Sequence, residues 1–349
     1  MNPQSAAAPH IFLSLSREPS FNLAFEEWLL REGNPQSPVL FLFRNNPSVI
    51  VGRNQNPWRE CALAALRNQA VPVLRRCSGG GAVYHDPGNC NYAMVGSRAG
   101  YRPQAHLELA LSALQRLGVE ARLSPRNDLL FNRLKIAGSA FALTGRTSLQ
   151  HGTMLIASNL SRLRAALRPE PNLARAIQGR SVASTVSSVV NLADHYPGLT
   201  AEAFEHAVIE VFREVYAQAA ITAEVEPRNA NRRFPGWRKY REKYRDDKWI
   251  VGRSPAFSVD LRTAHPTGEI NWRLCCRDGR LARVGIDPGR GLVPDWAKRL
   301  AASLSGTLFW PDHLRQTLAA AQAASSPAEA REIFKLRELL LAPPESPTP

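Results

Sequence analysis

Arg75-Arg76-Cys77-Ser78-Gly79-Gly80-Gly81-Ala82-Val83-Tyr84-His85-Asp86 is the stretch on which the reading of this 349-residue chain turns. Three consecutive glycines remove every Cβ at one place. Backbone N–H groups can then approach a ligand closely and form an anion-binding concavity. The two arginines ahead of them carry charge and donors suited to phosphate or carboxylate. Residues 71–74 before the run and 82–84 after it read as short strands. A glycine loop thus joins strand to strand, unlike a P-loop or a dinucleotide-binding turn, which opens a helix. The run matches neither G-x-x-x-x-G-K-[ST] nor G-x-G-x-x-G. A lone triple glycine reads best as a tight turn, but two arginines, a serine and His85-Asp86 beside it favour a ligand loop.

Upstream of the loop, residues 21–32 read as a helix with Leu23, Phe25, Trp28 and Leu29 as its apolar positions. Residues 39–44 and 48–52 read as strands, with Asn45, Asn46 and Pro47 turning between them. Residues 57–68 read as one helix with Pro57 near its start. Downstream come a strand at 92–95, an amphipathic helix at 103–117 ended by Gly118, a strand at 153–157 and a helix at 201–216. Residues 227–253 are crowded with Arg, Lys, Trp and Tyr and show no clear period. They read as a basic, partly exposed connection that packs its aromatics on the first domain. A smaller unit follows. Residues 269–275 and 281–286 read as strands joined at Asp278-Gly279, a strong hairpin signal. Residues 294–303 and 311–324 read as helices, and a last helix opens with Ser326 as N-cap, Pro327 and Glu329. The tail 342–349 has four prolines and is expected to be disordered.

Hydrophobic residues make up 44% of the chain and charged residues 21%, an ordinary globular balance. No stretch approaches the roughly 18 consecutive apolar residues that a membrane span requires, so no membrane association is expected. The net charge of +14, from 44 Lys+Arg against 30 Asp+Glu, fits a solvated basic surface or an anionic partner, and charge alone does not choose. The five cysteines form no CxxC pair and suit no complete disulfide framework, which points to a reducing compartment. The eight histidines are scattered and make no zinc constellation. Residues 1–16 lack both a secretory signal pattern and the arginines of a mitochondrial presequence.

In the pattern RRxSGGGxVxHDxGN, here Arg75 through Asn89, the chain resembles lipoate–protein ligases and lipoyltransferases. Other stretches agree in the same order. Phe21-Asn22-Leu23-Ala24 resembles the family's FNLA helix, and Gly52-Arg53-Asn54-Gln55-Asn56-Pro57-Trp58 its GRxQNPW motif. Arg126-Asn127-Asp128-Leu129 resembles RNDL, Lys135-Ile136-Ala137-Gly138-Ser139-Ala140 the K-[VI]-[SA]-G-[ST]-A motif, and His151-Gly152-Thr153 the HGT. The resemblance spans roughly residues 12 to 260. It implies an α/β fold, α+β in stricter terms. The sheet would be mixed and mostly antiparallel with flanking helices, in a biotin/lipoate-ligase-like catalytic domain at 1–258. A small C-terminal α/β accessory domain would follow at 262–341.

The resemblance also implies roles. Arg76, Gly81, Ala82, Val83 and Tyr84, with Ser78, Gly79 and Gly80 completing the loop, would hold the nucleotide and the acyl-adenylate. Asn127 and Asp128 would contact the nucleotide, and Asp128 its Mg²⁺. Lys135 would be the essential lysine, and His151 would lie with it beside the lipoate pocket. Gln150 stands where the family has a first histidine, and Phe141-Ala142 where it has an aromatic and often a basic residue. The implied enzyme uses ATP, Mg²⁺ and lipoate to make lipoyl-AMP. It then transfers the lipoyl group to a lysine of a lipoyl domain of a 2-oxoacid dehydrogenase complex or of the glycine cleavage H protein. A monomer is expected, in the mitochondrial matrix if eukaryotic and otherwise in the cytoplasm.

Read without the family, several residues keep two readings. A fixed ammonium at Lys135 suits charge that develops as an acyl-phosphate is cleaved, whereas an isolated strand lysine would be merely solvated. Asp128 fits one carboxylate of a magnesium site or a turn after Pro125 in equal measure. His85 and Asp86 suit a structural role at least as well as direct chemistry. Cys77 reads as a small packed residue. Two alternatives remain. One is a transferase that uses only preformed lipoyl-AMP or a lipoylated donor protein. The other, of a different class, is a nucleic-acid-binding protein using Trp237, Tyr240, Tyr244 and Trp249 among their basic neighbours.

Overall fold

The computed structural model describes residues 8–33, 38–216, 220–266, 268–289 and 292–341. The tail at 342–349 lies outside the described residues. In chain order the first strands are β1 (His10–Ser14), β2 (Val39–Phe43), β3 (Ser48–Val51), β4 (Val73–Arg75), β5 (Val83–His85) and β6 (Asn89–Ser97). Then come β7 (Arg122–Leu123), β8 (Leu129–Phe131), β9 (Leu134–Leu143), β10 (Thr147–Leu155), β11 (Ile177–Gly179) and β12 (Ile221–Val225). The last three are β13 (Phe257–His265), β14 (Gly268–Arg277) and β15 (Arg280–Asp287).

The largest sheet has the order β12-β1-β2-β6-β10-β9-β8-β7. β1 pairs in parallel with β12 and β2, and every other pairing in this sheet is antiparallel. The mixed, mostly antiparallel sheet with flanking helices is therefore the architecture observed. A second sheet, β4-β3-β5, is small, and the glycine loop is the connection between its two outer strands. The third, β11-β13-β14-β15, takes β11 from residues 177–179 and its hairpin turns at Asp278-Gly279, both at positive φ. A bulge at Cys275/Cys276 shifts its register.

The helix Pro19–Glu32 covers one face of the large sheet. Phe21, Phe25 and Leu29 recur at helical spacing and are buried with Phe12, Phe41 and Trp237. Phe25 meets Phe41 edge-on at 5.1 Å and Phe234 at 4.9 Å, the geometry aromatic quadrupoles prefer. Burying one such ring stabilises the fold by about 2 kcal/mol. On the opposite face the helices Pro103–Arg116 and Ala201–Tyr216 bury Leu109, Leu114, Phe204 and Phe212.

Three expectations change. Residues 57–68 form two helices, Pro57–Glu60 and Leu63–Asn68, because the Ala62 N–H bonds to the carbonyl of Ala166, outside the helix, at 3.0 Å. Residues 227–253 hold three helices, Pro227–Arg233, Trp237–Arg245 and Asp247–Ile250, instead of an irregular connection. Trp237, Tyr240 and Tyr244 are buried against the helix Pro19–Glu32, as the packing reading required. Their faces are thus closed to stacking bases, which removes the nucleic-acid alternative's main support. β9 and β13 were not foreseen, nor were the helices Leu160–Ala166 and Pro171–Ala176. All five cysteines are free. No described helix is long and apolar enough to cross a membrane.

Candidate active site

The glycine loop is shaped from within by Arg76. Its Nε donates to Ser78 Oγ at 3.0 Å and to the Gly79 carbonyl at 3.1 Å. Nη2 reaches the Gly79 and Gly81 carbonyls at 2.5 and 2.8 Å, and Nη1 the Ile50 carbonyl at 3.1 Å. Burial pulls its guanidinium down to about 10, still charged at neutral pH. Gly80 completes the turn at φ +85, where an added Cβ would come within 2.8 Å of Arg76 Nη2. Arg75 is buried deeper. Its Nη1 serves the carbonyls of Gly52, Arg53 and Gln55, its Nε that of Ile250, and its Nη2 the Ser254 hydroxyl. Both arginines were read as donors suited to phosphate or carboxylate. In the structure their donors bond to protein carbonyls and hydroxyls, so they hold the loop's shape.

A cavity of about 360 Å³ opens beside the loop. Arg76, Gly80, Gly81, Ala82 and Val83 form one wall, and Asp128, Lys135 and His151 another. Eight of the sequence-selected residues thus meet on one space. Four do not line it. Ser78 is buried beneath and bonds to His151. Gly79 turns its carbonyl to Arg76. The Tyr84 ring points to the other side, into the core with Val49, Val51 and Trp58, because the pleat of β5 alternates its side chains. Asn127 is a turn residue at φ +62, whose carbonyl accepts a bond from Ser139 Oγ at 3.1 Å. The cavity has an apolar end at Leu23, Phe43, Ile50 and Val83, and a polar end at Arg126, Asp128, Lys135 and Ser139.

At the polar end Lys135 Nζ pairs with Asp128 Oδ1 at 2.8 Å. Gly138 makes the room, since a Cβ there would meet Lys135 Cε at 2.9 Å and Nζ at 3.0 Å. On the strand wall β10 presents His151 and Thr153 to the cavity. Gln150, one residue earlier, faces the other way and accepts the Tyr101 hydroxyl at 3.1 Å. The residue replacing the family's first histidine therefore stands outside the cavity.

His151 sits in a directed chain. Arg76 Nε donates to Ser78 Oγ, which leaves the Ser78 proton for His151 Nε2, at 2.7 Å. His151 Nδ1–H then faces Glu26 Oε1 at 2.7 Å. Glu26 is fully buried and its second oxygen has no protein partner. His85 lies in a second chain. Asn22 Nδ2 donates to Asn45 Oδ1 at 2.8 Å, so Asn45 Nδ2 donates to His85 Nδ1 at 2.9 Å. His85 Nε2–H then bonds to Thr153 Oγ1 at 3.0 Å, and Thr153 to Asn91 Oδ1 at 2.7 Å. Burial first, and then the charge of Arg76, pull His85 down to about 3, which matches a neutral ring wedged between two neutral partners. Asp86 accepts the N–H groups of Gly88 and Asn159, so it is a turn-former. Burial pushes the Cys77 thiol up to about 12, so it is packing and no nucleophile.

Residues 180–188, which no sequence signal singled out, form the remaining wall with Val182, Ala183, Ser184, Thr185 and Ser187. Ser184 Oγ accepts the Ala82 N–H at 2.9 Å and Gln55 Nε2 at 3.0 Å, and donates to Glu60. Gln55 and Glu60 come from the GRxQNPW segment and the residue two beyond it. Glu26 was also missed, although it lies three residues after Leu23, on the same helical face.

The cavity is mixed, suited to an apolar chain that ends in an anion. The lipoyl protein ligase A/B catalytic domain matches residues 18–213. The chain belongs to the lipoyl protein ligase A/B family. The lipoate-protein ligase A of Psychrobacter cryohalolentis is 36% identical over 280 residues, covering 79% of this chain and 82% of that protein. Membership makes the chain an enzyme of lipoyl attachment. Among solved structures of this fold, LipL1 of P. falciparum in complex with lipoate has a TM-score of 0.63 at 24% identity, covering 95% of this chain and 99% of that one. The bipartite lipoate protein ligase of Thermoplasma acidophilum, described with its E2 lipoyl domain, has a TM-score of 0.58 at 25% identity. It covers 70% of this chain and 96% of that one.

Proposed function

We propose that this ligase-family enzyme activates lipoate with ATP and transfers the lipoyl group from lipoyl-AMP to a lysine of a lipoyl domain. The acceptors would be 2-oxoacid dehydrogenase acyltransferases or the glycine cleavage H protein. The observation that carries the reading is the two-ended cavity. Leu23, Phe43, Ile50 and Val83 would surround the hydrocarbon chain, and the glycine loop, Lys135 and Asp128 would meet the carboxyl and phosphate groups. In the first step the lipoate carboxylate attacks the α-phosphate of ATP, and pyrophosphate leaves. In the second the acceptor amine attacks the acyl carbon, the bond to AMP breaks, and AMP leaves with the electron pair.

Lys135 offsets negative charge on the departing phosphate oxygen. The cavity walls hold the anhydride away from water. Asp128 is the only carboxylate among the lining residues, and one carboxylate plus phosphate oxygens suits Mg²⁺ brought in with ATP. Asp128 would hold the Mg²⁺, and the Lys135 ammonium beside it would serve the phosphate.

One observation favours the transferase that starts from preformed lipoyl-AMP. Ala142 stands where the family often has a basic residue. Mass spectrometry of a lipoyl domain incubated with the enzyme and either ATP plus lipoate or lipoyl-AMP tests both readings. The expected product carries a lipoyl group in both arms, and a product in the lipoyl-AMP arm alone selects the transferase. No modification in either arm removes both readings.

A further inference from the structure

β9 leaves the cavity at Gly138, Ser139 and Ala140 and runs on to Leu143. Along one side β10 pairs with it from Ala137 to Leu143. Along the other, β8 pairs only with Leu134, Lys135 and Ala137. Among the described residues no strand therefore lies against that edge of β9 beyond Ala137. An unpaired edge is a row of free N–H and C=O groups, ready for a strand from another chain.

The side chains here are as open as the backbone. Phe141 is 58% exposed and Leu143 43%. They are two residues apart on a strand and so project to the same face. The Tyr101 ring lies 6.2 Å from that of Phe141 and extends the apolar surface. Around it stand Arg98, Arg102 and Arg146, all exposed. Arg98 Nη1 donates to the Thr144 carbonyl at 2.9 Å, and the Arg98 N–H to that of Arg146 at 2.8 Å, which ties this corner together. None of the three arginines has an ion-pair partner among the described residues. An aromatic centre ringed by unpaired guanidinium groups is the pattern of a protein interface.

We propose that this corner, formed by the free edge of β9 with Phe141 and Leu143 inside a ring of Arg98, Arg102 and Arg146, docks the acceptor protein. The docked surface would be acidic around an apolar centre, beside the lysine that is modified. The inference rests on the reading of the preceding subsection. The occupant follows from reach, since the acceptor amine has to arrive at the acyl carbon beside Lys135. The protein bearing that amine then lies against the β9 edge, whose Gly138–Ala140 border the cavity and whose Phe141 and Leu143, paired with Gln150 and Ser148, continue that edge on the other face of the sheet. The ring supplies the charge complement that steers and orients an acidic partner.

The test uses the full chain, preformed lipoyl-AMP and a purified lipoyl domain at varied concentration. One variant is Phe141→Ser/Leu143→Ser, and the other Arg98→Glu/Arg102→Glu/Arg146→Glu. In each, the KM for the lipoyl domain is expected to rise roughly tenfold, with kcat and the affinity for lipoyl-AMP close to wild type. Raising salt from about 50 to about 300 mM is expected to raise the wild-type KM and to leave the charge-reversed variant's little changed. Acceptor KM values within about twofold of wild type in both variants overturn the docking surface. A wild-type chain that transfers nothing from lipoyl-AMP instead overturns the functional reading on which it rests.

Discussion

Arg75 and Lys135 are both cations in signature segments around one cavity, yet the fold treats them in opposite ways. Arg75 is fully buried, and its guanidinium bonds to four backbone carbonyls and one hydroxyl. Lys135 keeps a 27% exposed side chain and a single partner, Asp128. A guanidinium has five donors in a rigid plane, so it can organise several chain segments at once, whereas an ammonium is a compact charge on a flexible stem. The first is suited to holding a loop in shape. The second is suited to meeting a charge that appears only during reaction. A charge in a motif is thus no guide to chemistry until its donors have been accounted for.

The largest effect that would sharpen this contrast is on stability. Arg75→Met leaves the carbonyls of Gly52, Arg53, Gln55 and Ile250 without their donor, and should cost about 4 kcal/mol in urea unfolding. A loss below about 1 kcal/mol would erase the distinction. Lys135→Met should do the reverse. Its partly exposed ion pair contributes under about 1 kcal/mol, so the melting temperature should hold, while transfer from lipoyl-AMP falls about 10²- to 10³-fold. A variant that transfers normally would break the comparison from the other side.

His85 extends the contrast to a group that is buried uncharged. Its folded pKa lies near 3 against 6.5 unfolded, so the unfolded chain binds the extra proton between those values. Its stabilising contribution is complete above pH 6.5 and declines as pH falls toward 3. In His85→Gln the fall in stability on acidification should be shallower by about 1.4 kcal/mol per pH unit in that window, read from urea midpoints at several pH values. Equal slopes would mean that the ring is already protonated in the fold. The smallest effect concerns the wall at 180–188. Ser184→Ala removes the hydroxyl that joins Ala82, Gln55 and Glu60. It should let bound lipoyl-AMP escape about fivefold faster, equivalent to about 1 kcal/mol, in a dilution-release assay. No change would detach that segment from the cavity.

Local signals were legible where they depend only on neighbours in the chain. The Asp278-Gly279 hairpin, the Ser326 cap with Glu329 reaching back to its N–H at 2.9 Å, and the strands on either side of the glycine loop all appear where read. The helix Trp237–Arg245 was missed because its apolar residues, spaced 237, 240 and 244, are separated by charges that mask the period. β13 escaped for a related reason. Its alternation, with Phe257, Val259, Leu261 and Thr263 buried, follows directly on that basic stretch.

The order of motifs in the chain by itself determined the family, the sheet-based fold and the set of residues around one cavity, because motif spacing and side-chain period are properties of the chain. Which of those residues face the cavity was decided only by the tertiary structure. The pleat turns Tyr84 away and His151 inward, Arg75 spends its donors on carbonyls far along the chain, and residues 180–188 arrive as a wall. Burial and hydrogen-bond saturation are set by segments distant in sequence, so they exist only once the chain has folded.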